Sequence, residues 1–103
     1  MNYKEFQSCG VYVVVNMIAG KWKPLILHEL FRNSERFSNL WRMMPRVSKK
    51  VLIEQLKQME KDELIVREER SGFPPEVYYR LSDKGRSLGP ILKQMEVWNS
   101  NLT

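Results

Sequence analysis

Residues 46–54 read Arg-Val-Ser-Lys-Lys-Val-Leu-Ile-Glu, and this is where the chain has most chemistry to offer. Ser48 is a side chain of the helix-capping type, and Lys49 and Lys50 follow it directly. A helix that starts there carries two ammonium donors in its first turn, with Ile53 and Glu54 on the flank of the second. The major groove of duplex DNA admits such a helix and shows a distinct donor and acceptor pattern for each base pair. Residues near the N-terminus of an inserted helix are the ones that reach base edges. Lys49 and Lys50 can donate to guanine edges or to phosphate, whereas Ser48 has a competing duty as the cap. Gln55 suits adenine, but its direction lies close to the helix's buried face. The positive helix N-terminus itself favours a phosphate.

Other cations are spaced to support that helix. Arg36 and Arg46 fall in loops beside two helix starts, where they would hold the DNA backbone without reading sequence. Arg67 and Arg80 fall on two strand-like runs, and Arg70 is expected at the tip between them, poised for a minor groove. Each arginine taken alone is an ordinary solvated charge. Grouped around one helix, they point to double-stranded DNA. The formal charge of +5 and the pI near 9.5 agree with a polyanionic partner.

Cys9 is the only cysteine, which excludes an internal disulfide framework and a multi-cysteine zinc site and fits a reducing cytoplasm. A thiol at a helix start, with Lys4 nearby in sequence, has two influences favouring the reactive thiolate. Simple packing behind the first helix is the alternative use. His28 is the only histidine, there is no glycine-rich phosphate loop, and no metal-ligand cluster is present. No catalytic residue, cofactor or metal is therefore expected. The apolar run Val11–Ala19 is too short to span a bilayer and lacks a signal-peptide cleavage site, so no membrane partner is expected.

These residues need elements to position them. The 103 residues, 43% hydrophobic and 28% charged, are enough for one small core and read as one domain. Val11, Val14, Val15 and Ile18 follow helical spacing. After Gly20 a second helix is expected from Lys21 or Trp22, with Trp22, Leu25, Ile26 and Leu30 as its stripe and Pro24 in its first turn. Asn33-Ser34-Glu35 reads as a loop. Ser38 reads as the cap of a short helix carrying Leu40, Trp41, Met43 and Met44 and ended by Pro45. Ser48 caps the next helix, which runs to about Asp62, with Leu52, Leu56 and Met59 buried and Lys50, Glu54, Lys57 and Lys61 opposite. Residues 64–67 and 77–81 read as strands around the turn Arg70–Pro75. Ser82 caps a last helical segment, kinked or restarted at Gly89-Pro90. The predicted fold is mainly α with a small β-hairpin, a winged helix-turn-helix. Residues 1–20 form an N-terminal arm and helix, 21–82 the winged helix, and 83–103 a C-terminal helix for dimerisation.

The ordered set Cys9, Gly20-Lys21-Trp22, Arg36-Phe37, Leu40, Pro45, Ser48 with Lys50, Leu52, Leu56 and Glu60 resembles the HxlR-type branch of the MarR-like bacterial winged-helix regulators. Leu64, Val66-Arg67, Pro74-Pro75, Tyr79, Leu81 and Lys84-Gly85 continue it, so the resemblance spans about Cys9 to Trp98. It implies a homodimeric cytoplasmic transcription regulator that binds a pseudo-palindromic operator. It also implies a redox or electrophile signal received at Cys9, and several members of the family sense in that way. Gly10 stands where the family usually has proline after the cysteine. Lys49-Lys50 stands where one basic residue is more usual. The terminal helices should supply the dimer face, from Val11, Val14, Val15, Leu88, Ile91, Leu92, Met95 and Trp98.

Two other readings remain open at this level. One is a DNA-binding regulator controlled by a small apolar ligand at the dimer interface, lined by the Met- and aromatic-rich terminal helices. The other is a winged helix used only for protein–protein contact, against which Lys49-Lys50 argues.

Overall fold

The computed structural model describes residues 3–102, and one hydrophobic core runs through them. Helices α1 (Tyr3–Ser8) and α2 (Gly10–Ile18) open the chain, so the N-terminal arm contains a short helix of its own. The β-branched run is helical, as its spacing predicts. Only Val14, Met17 and Ile18 pack towards the core, however, while Val11 and Val15 are left exposed.

Helix α3 (Lys23–Arg32) begins a residue or two later than predicted, with Trp22 at its N-cap and Pro24 in the first turn, where a missing N–H costs nothing. Ile26, Leu27 and Leu30 are buried. Leu25 is exposed and does not belong to the stripe, because the neighbouring Leu27 takes the inward position. Glu35 is not loop: Glu35–Arg36 forms a strand, β1, that pairs with the later hairpin. The chain passes straight from that strand into α4 (Phe37–Met43), which makes extended Arg36 the N-cap. Ser38, predicted as the cap, therefore sits inside the first turn, and no side chain caps this helix.

Helix α5 (Lys49–Lys61) buries Leu52, Leu56 and Met59 completely. Each such side chain contributes roughly 1.5–3 kcal/mol of burial energy. Its C-terminus closes with paired bonds, Leu64 N–H to Met59 O and Glu63 N–H to Glu60 O, both 2.9 Å. That closure demands a left-handed residue, and Glu63 supplies it at φ 62°. Strands β2 (Ile65–Arg70) and β3 (Glu76–Leu81) are longer than the sequence pattern suggested. The antiparallel sheet runs β1-β3-β2, with Glu35 and Arg36 opposite Tyr79 and Tyr78.

Ser82 caps α6 (Asp83–Arg86) by accepting from Gly85 N–H at 3.0 Å, and α7 (Gly89–Ser100) restarts the chain as expected. Gly85 has no room for a side chain, since a Cβ there would lie 2.1 Å from the Leu64 carbonyl oxygen.

Candidate nucleic-acid interface

The turn between α4 and α5 is built to fix the angle at which α5 emerges. Met44 and Val47 are buried, and Val47 N–H bonds to Met44 O at 3.1 Å. Trp41 Nε1 donates to Val47 O at 3.1 Å and so ties α4 to the turn. Ser48 caps α5 as predicted, its Oγ accepting from Val51 N–H at 3.1 Å. The hydroxyl is therefore engaged as the cap. The Lys49 ammonium lies 5.9 Å from the centre of the Trp41 ring. Lys50 and Arg46 are exposed, and among the described residues neither they nor Lys49 has a carboxylate within 4.0 Å.

The segment Arg36–Lys50 contains Arg36, Arg42, Arg46, Lys49 and Lys50 and not one Asp or Glu. Those five cations equal the net charge of the whole chain, +5; Arg36 is paired with Glu76, and the other four, from Arg42 to Lys50, flank the start of α5. Glu54 is exposed one turn further along, and Ile53 is half-buried. Gln55 faces away from this surface: its Oε1 would lie 3.8 Å from a Cβ at Gly20.

Between α5 and the inner face of the sheet lies a cleft of about 270 Å³. Phe37, Ile53, Val77 and Tyr79 give it apolar walls, Lys49, Lys57 and Arg67 bring cations to it, and Glu60 brings one carboxylate. Burial pushes the Tyr79 hydroxyl up in pKa, reinforced by the nearby Glu60 charge, so Tyr79 stays neutral in the cleft. Lys57, assigned by its spacing only to the exposed side of the helix, is thereby part of the same basic surface.

The wing departs most from the sequence reading. Arg70 is the last residue of β2, opposite Glu76, and not the tip; the tip is Ser71–Pro75. The Arg70 guanidinium sits 3.6 Å over the Tyr78 ring and 3.9 Å from Glu68. Arg80 Nε donates to Glu68 at 2.7 Å, Arg67 pairs with Glu69 at 3.0 Å, and Arg36 pairs with Glu76 at 3.3 Å. The three arginines expected on the wing, and Arg36, expected in a loop beside a helix start but found on β1, thus each have a carboxylate partner. Two pairs, Arg67–Glu69 and Arg70–Glu68, follow from the alternation of faces along β2 itself, whereas Arg80–Glu68 and Arg36–Glu76 depend on the register of β3 with β2 and with β1.

Cys9 is the N-cap residue of α2, half-buried, free, and makes no side-chain cap bond. Of the expected dimer face, Leu88 is taken into the chain's own core at 9% exposure, and Leu92 and Val14 pack against that core. Val11, Val15, Ile91, Met95 and Trp98 remain exposed. A cavity of about 540 Å³ opens between α2, α3 and α7, with Ile18, Leu27, Phe31 and Leu92 in its wall and His28 among its polar lining.

A helix, a pinned turn, a second helix with a basic start and a hairpin behind it define a winged helix-turn-helix protein. The pattern of the HxlR-like helix-turn-helix family matches residues 17–103, and the chain belongs to that family. It is 45% identical over 85 residues to the HTH-type transcriptional regulator YdzF of Bacillus subtilis (strain 168), covering 82% of this chain and 78% of YdzF. The crystal structure of the HTH-type transcriptional regulator ytcD superposes with a TM-score of 0.85 at 40% identity, covering 90% of this chain and 95% of that one. The redox regulator HypR in its reduced form gives a TM-score of 0.84 at 32% identity, covering 90% and 92%. The chain is a helix-turn-helix transcriptional regulator and not an enzyme. Among the described residues no helix is long and apolar enough to cross a membrane.

Proposed function

We propose that the protein is a homodimeric regulator that binds a pseudo-palindromic operator by placing α5 of each subunit in successive major grooves. The carrying observation is the acid-free basic segment Arg36–Lys50, wrapped around a capped and exposed helix start. Lys49 and Lys50 would donate to guanine edges or phosphate, and Glu54 could accept from cytosine. Arg46 and Lys57 would hold backbone phosphates. The exposed apolar residues Val11, Val15, Ile91, Met95 and Trp98 would form the interface between subunits. Two-fold symmetry then dictates a two-fold symmetric site.

Cys9 is the proposed receiver of an oxidant or electrophile. Its support is the free, half-buried thiol at the start of α2, beside the proposed interface, together with the likeness to a redox regulator. Oxidation by diamide could join two Cys9 thiols across the dimer, or join Cys9 to a small thiol. Selection from random duplexes by the reduced protein, repeated with diamide, tests both parts. A symmetric site released by diamide from the parent and retained by Cys9→Ser supports the whole reading. Equal release of both proteins removes the thiol switch. No enriched site removes the operator and leaves a protein-interaction role. The cavity between α2, α3 and α7 favours one second reading, an apolar effector bound there; a ligand that raises the melting temperature of Cys9→Ser would support it.

A further inference from the structure

The wing's distal half carries a surface quite unlike the basic start of α5. Strand β1 pairs with β3 only at Tyr78 and Tyr79; beyond Tyr78 the ladder has no third strand, and only the side chains of Val77, against the core, and Glu76, to Arg36, still reach back. Two further ladder pairs, Glu69↔Val77 and Arg70↔Glu76, carry the hairpin outward by about 7 Å before the turn. The turn Ser71-Gly72-Phe73-Pro74-Pro75 holds no charge, and all five residues are exposed. Phe73 is fully exposed and packs against none of the core residues.

The charges behind the tip are already committed. Residues 65–81 contain three arginines, 67, 70 and 80, and three glutamates, 68, 69 and 76, so the hairpin has no net charge. Glu68 receives both Arg70 and Arg80, and Arg70 is additionally held on the Tyr78 ring. A neutral hairpin gains little by approaching phosphates. An aromatic ring followed by two prolines gains by being removed from water. In a DNA-bound complex a projecting wing meets two kinds of apolar surface, the sugar faces that wall the minor groove and, where a step opens, the face of a base.

We propose that Phe73 is the wing's DNA contact, an apolar wedge that enters the minor groove beside the half-site and leans into a base step. This rests on the operator-binding reading above. Phenylalanine and proline wedges at such positions unstack one step and bend the duplex, and the stacking partner can be any base. The wing would then select deformability: pyrimidine–purine steps yield most readily, so TA or CA/TG should recur at the position under the tip. Base contacts by α5 and step flexibility under Phe73 would be separate sources of specificity.

The test selects sites from random duplexes with the parent, Phe73→Ala and Phe73→Leu. It then places 2-aminopurine at the flanking step of the parent's site. The expected result has three parts. Phe73→Ala keeps the central half-sites but loses enrichment of the flexible flanking step. Its affinity for the parent's site falls on the order of tenfold, with an unchanged dependence on salt. The 2-aminopurine fluorescence rises with the parent and with Phe73→Leu but not with Phe73→Ala. Identical flanks and identical fluorescence for parent and Phe73→Ala overturn the wedge while leaving the operator standing. A weaker dimer with unchanged flanks also overturns it, since the tip would then pack on the partner subunit. No enriched site for the parent overturns the operator reading and the wedge with it.

Discussion

Replacing Glu68 by Gln isolates the carboxylate that holds two of the wing's cations. Gln keeps the shape and can still accept from Arg80 Nε, now 2.7 Å from Glu68 Oε1, so the hairpin should fold unchanged. What changes is charge: Arg70 and Arg80 share one fewer counter-ion, and the hairpin moves from neutral to +1. If this allows one additional phosphate contact per wing, the logarithmic dependence of affinity on salt steepens by about 0.9 per subunit, or about 1.8 for a dimer. Between 50 and 200 mM salt, a fourfold span, the variant should lose about twelvefold more affinity than the parent. Because phosphate contacts carry no sequence information, affinity for a scrambled duplex at low salt should rise alongside affinity for the operator. Fluorescence anisotropy on both duplexes across a salt series measures this, with circular dichroism confirming the fold. Asp83→Asn, the same charge change at exposed Asp83 on α6, is the control and should leave the slope alone. If Glu68→Gln and Asp83→Asn give the same slope as the parent, the wing arginines lie out of reach of DNA. The account of Glu68 as their restraint is then wrong.

Other substitutions probe the dimer and the frame. Trp98 is 68% exposed on α7, and Trp98→Glu should raise the dimer dissociation constant by at least about thirtyfold by sedimentation, as for a central interface aromatic. Unchanged dimerisation would move the interface elsewhere. Gly85→Ala drives a methyl against the Leu64 carbonyl and should cost about 3 kcal/mol or more, lowering the melting temperature by roughly 10–20 °C. Glu63→Gly should relieve a left-handed backbone at the end of α5 and raise stability by about 1 kcal/mol in denaturant titration. The hydrogen bond from Arg80 holds the Glu68 carboxyl below its ordinary value of 4.5. Its stabilising contribution is therefore present above that value and is lost as pH falls through the lowered one. The difference in melting temperature between parent and Glu68→Gln should accordingly shrink as pH drops from about 5 to about 3.

The sequence pattern was legible where one residue type has one structural use. Ser48 and Ser82 announced caps because each is followed three residues on by an N–H it can accept from, and both do so. Leu52, Leu56 and Met59 announced a buried face because helical spacing leaves only one side for three large apolar residues. Ser38 looked the same and failed, since Arg36 was already committed to a strand whose partners, Tyr78 and Tyr79, lie some forty residues away. The partners of the wing charges were legible only in part. Arg67, Arg70 and Arg80 are as available to phosphate as Lys50 when read one at a time. Once residues 65–70 form a strand, alternation sets Glu69 beside Arg67 and Glu68 beside Arg70, and the register adds Arg80 to Glu68. Leu88 misled through its neighbours: helical spacing groups it with Ile91, Met95 and Trp98, but it precedes α7 and turns into the core.

Cancelled charge on the wing and uncancelled charge at α5 have different physical consequences, and that difference can be used. Contacts from Arg46, Lys49, Lys50 and Lys57 release counter-ions and weaken steeply as salt rises. An apolar contact from Phe73 releases none, and being excluded from water it is indifferent to salt over the same range. High salt should therefore strip the α5 contribution first and leave binding increasingly dependent on the flanking step. A wing studded with free arginines would behave oppositely, losing flank selectivity together with affinity. Competition between operators that share half-sites but differ in the flanking step, measured at low and at high salt, separates the two arrangements. A preference ratio that holds as affinity falls belongs to an apolar wedge, and one that collapses with affinity belongs to charge.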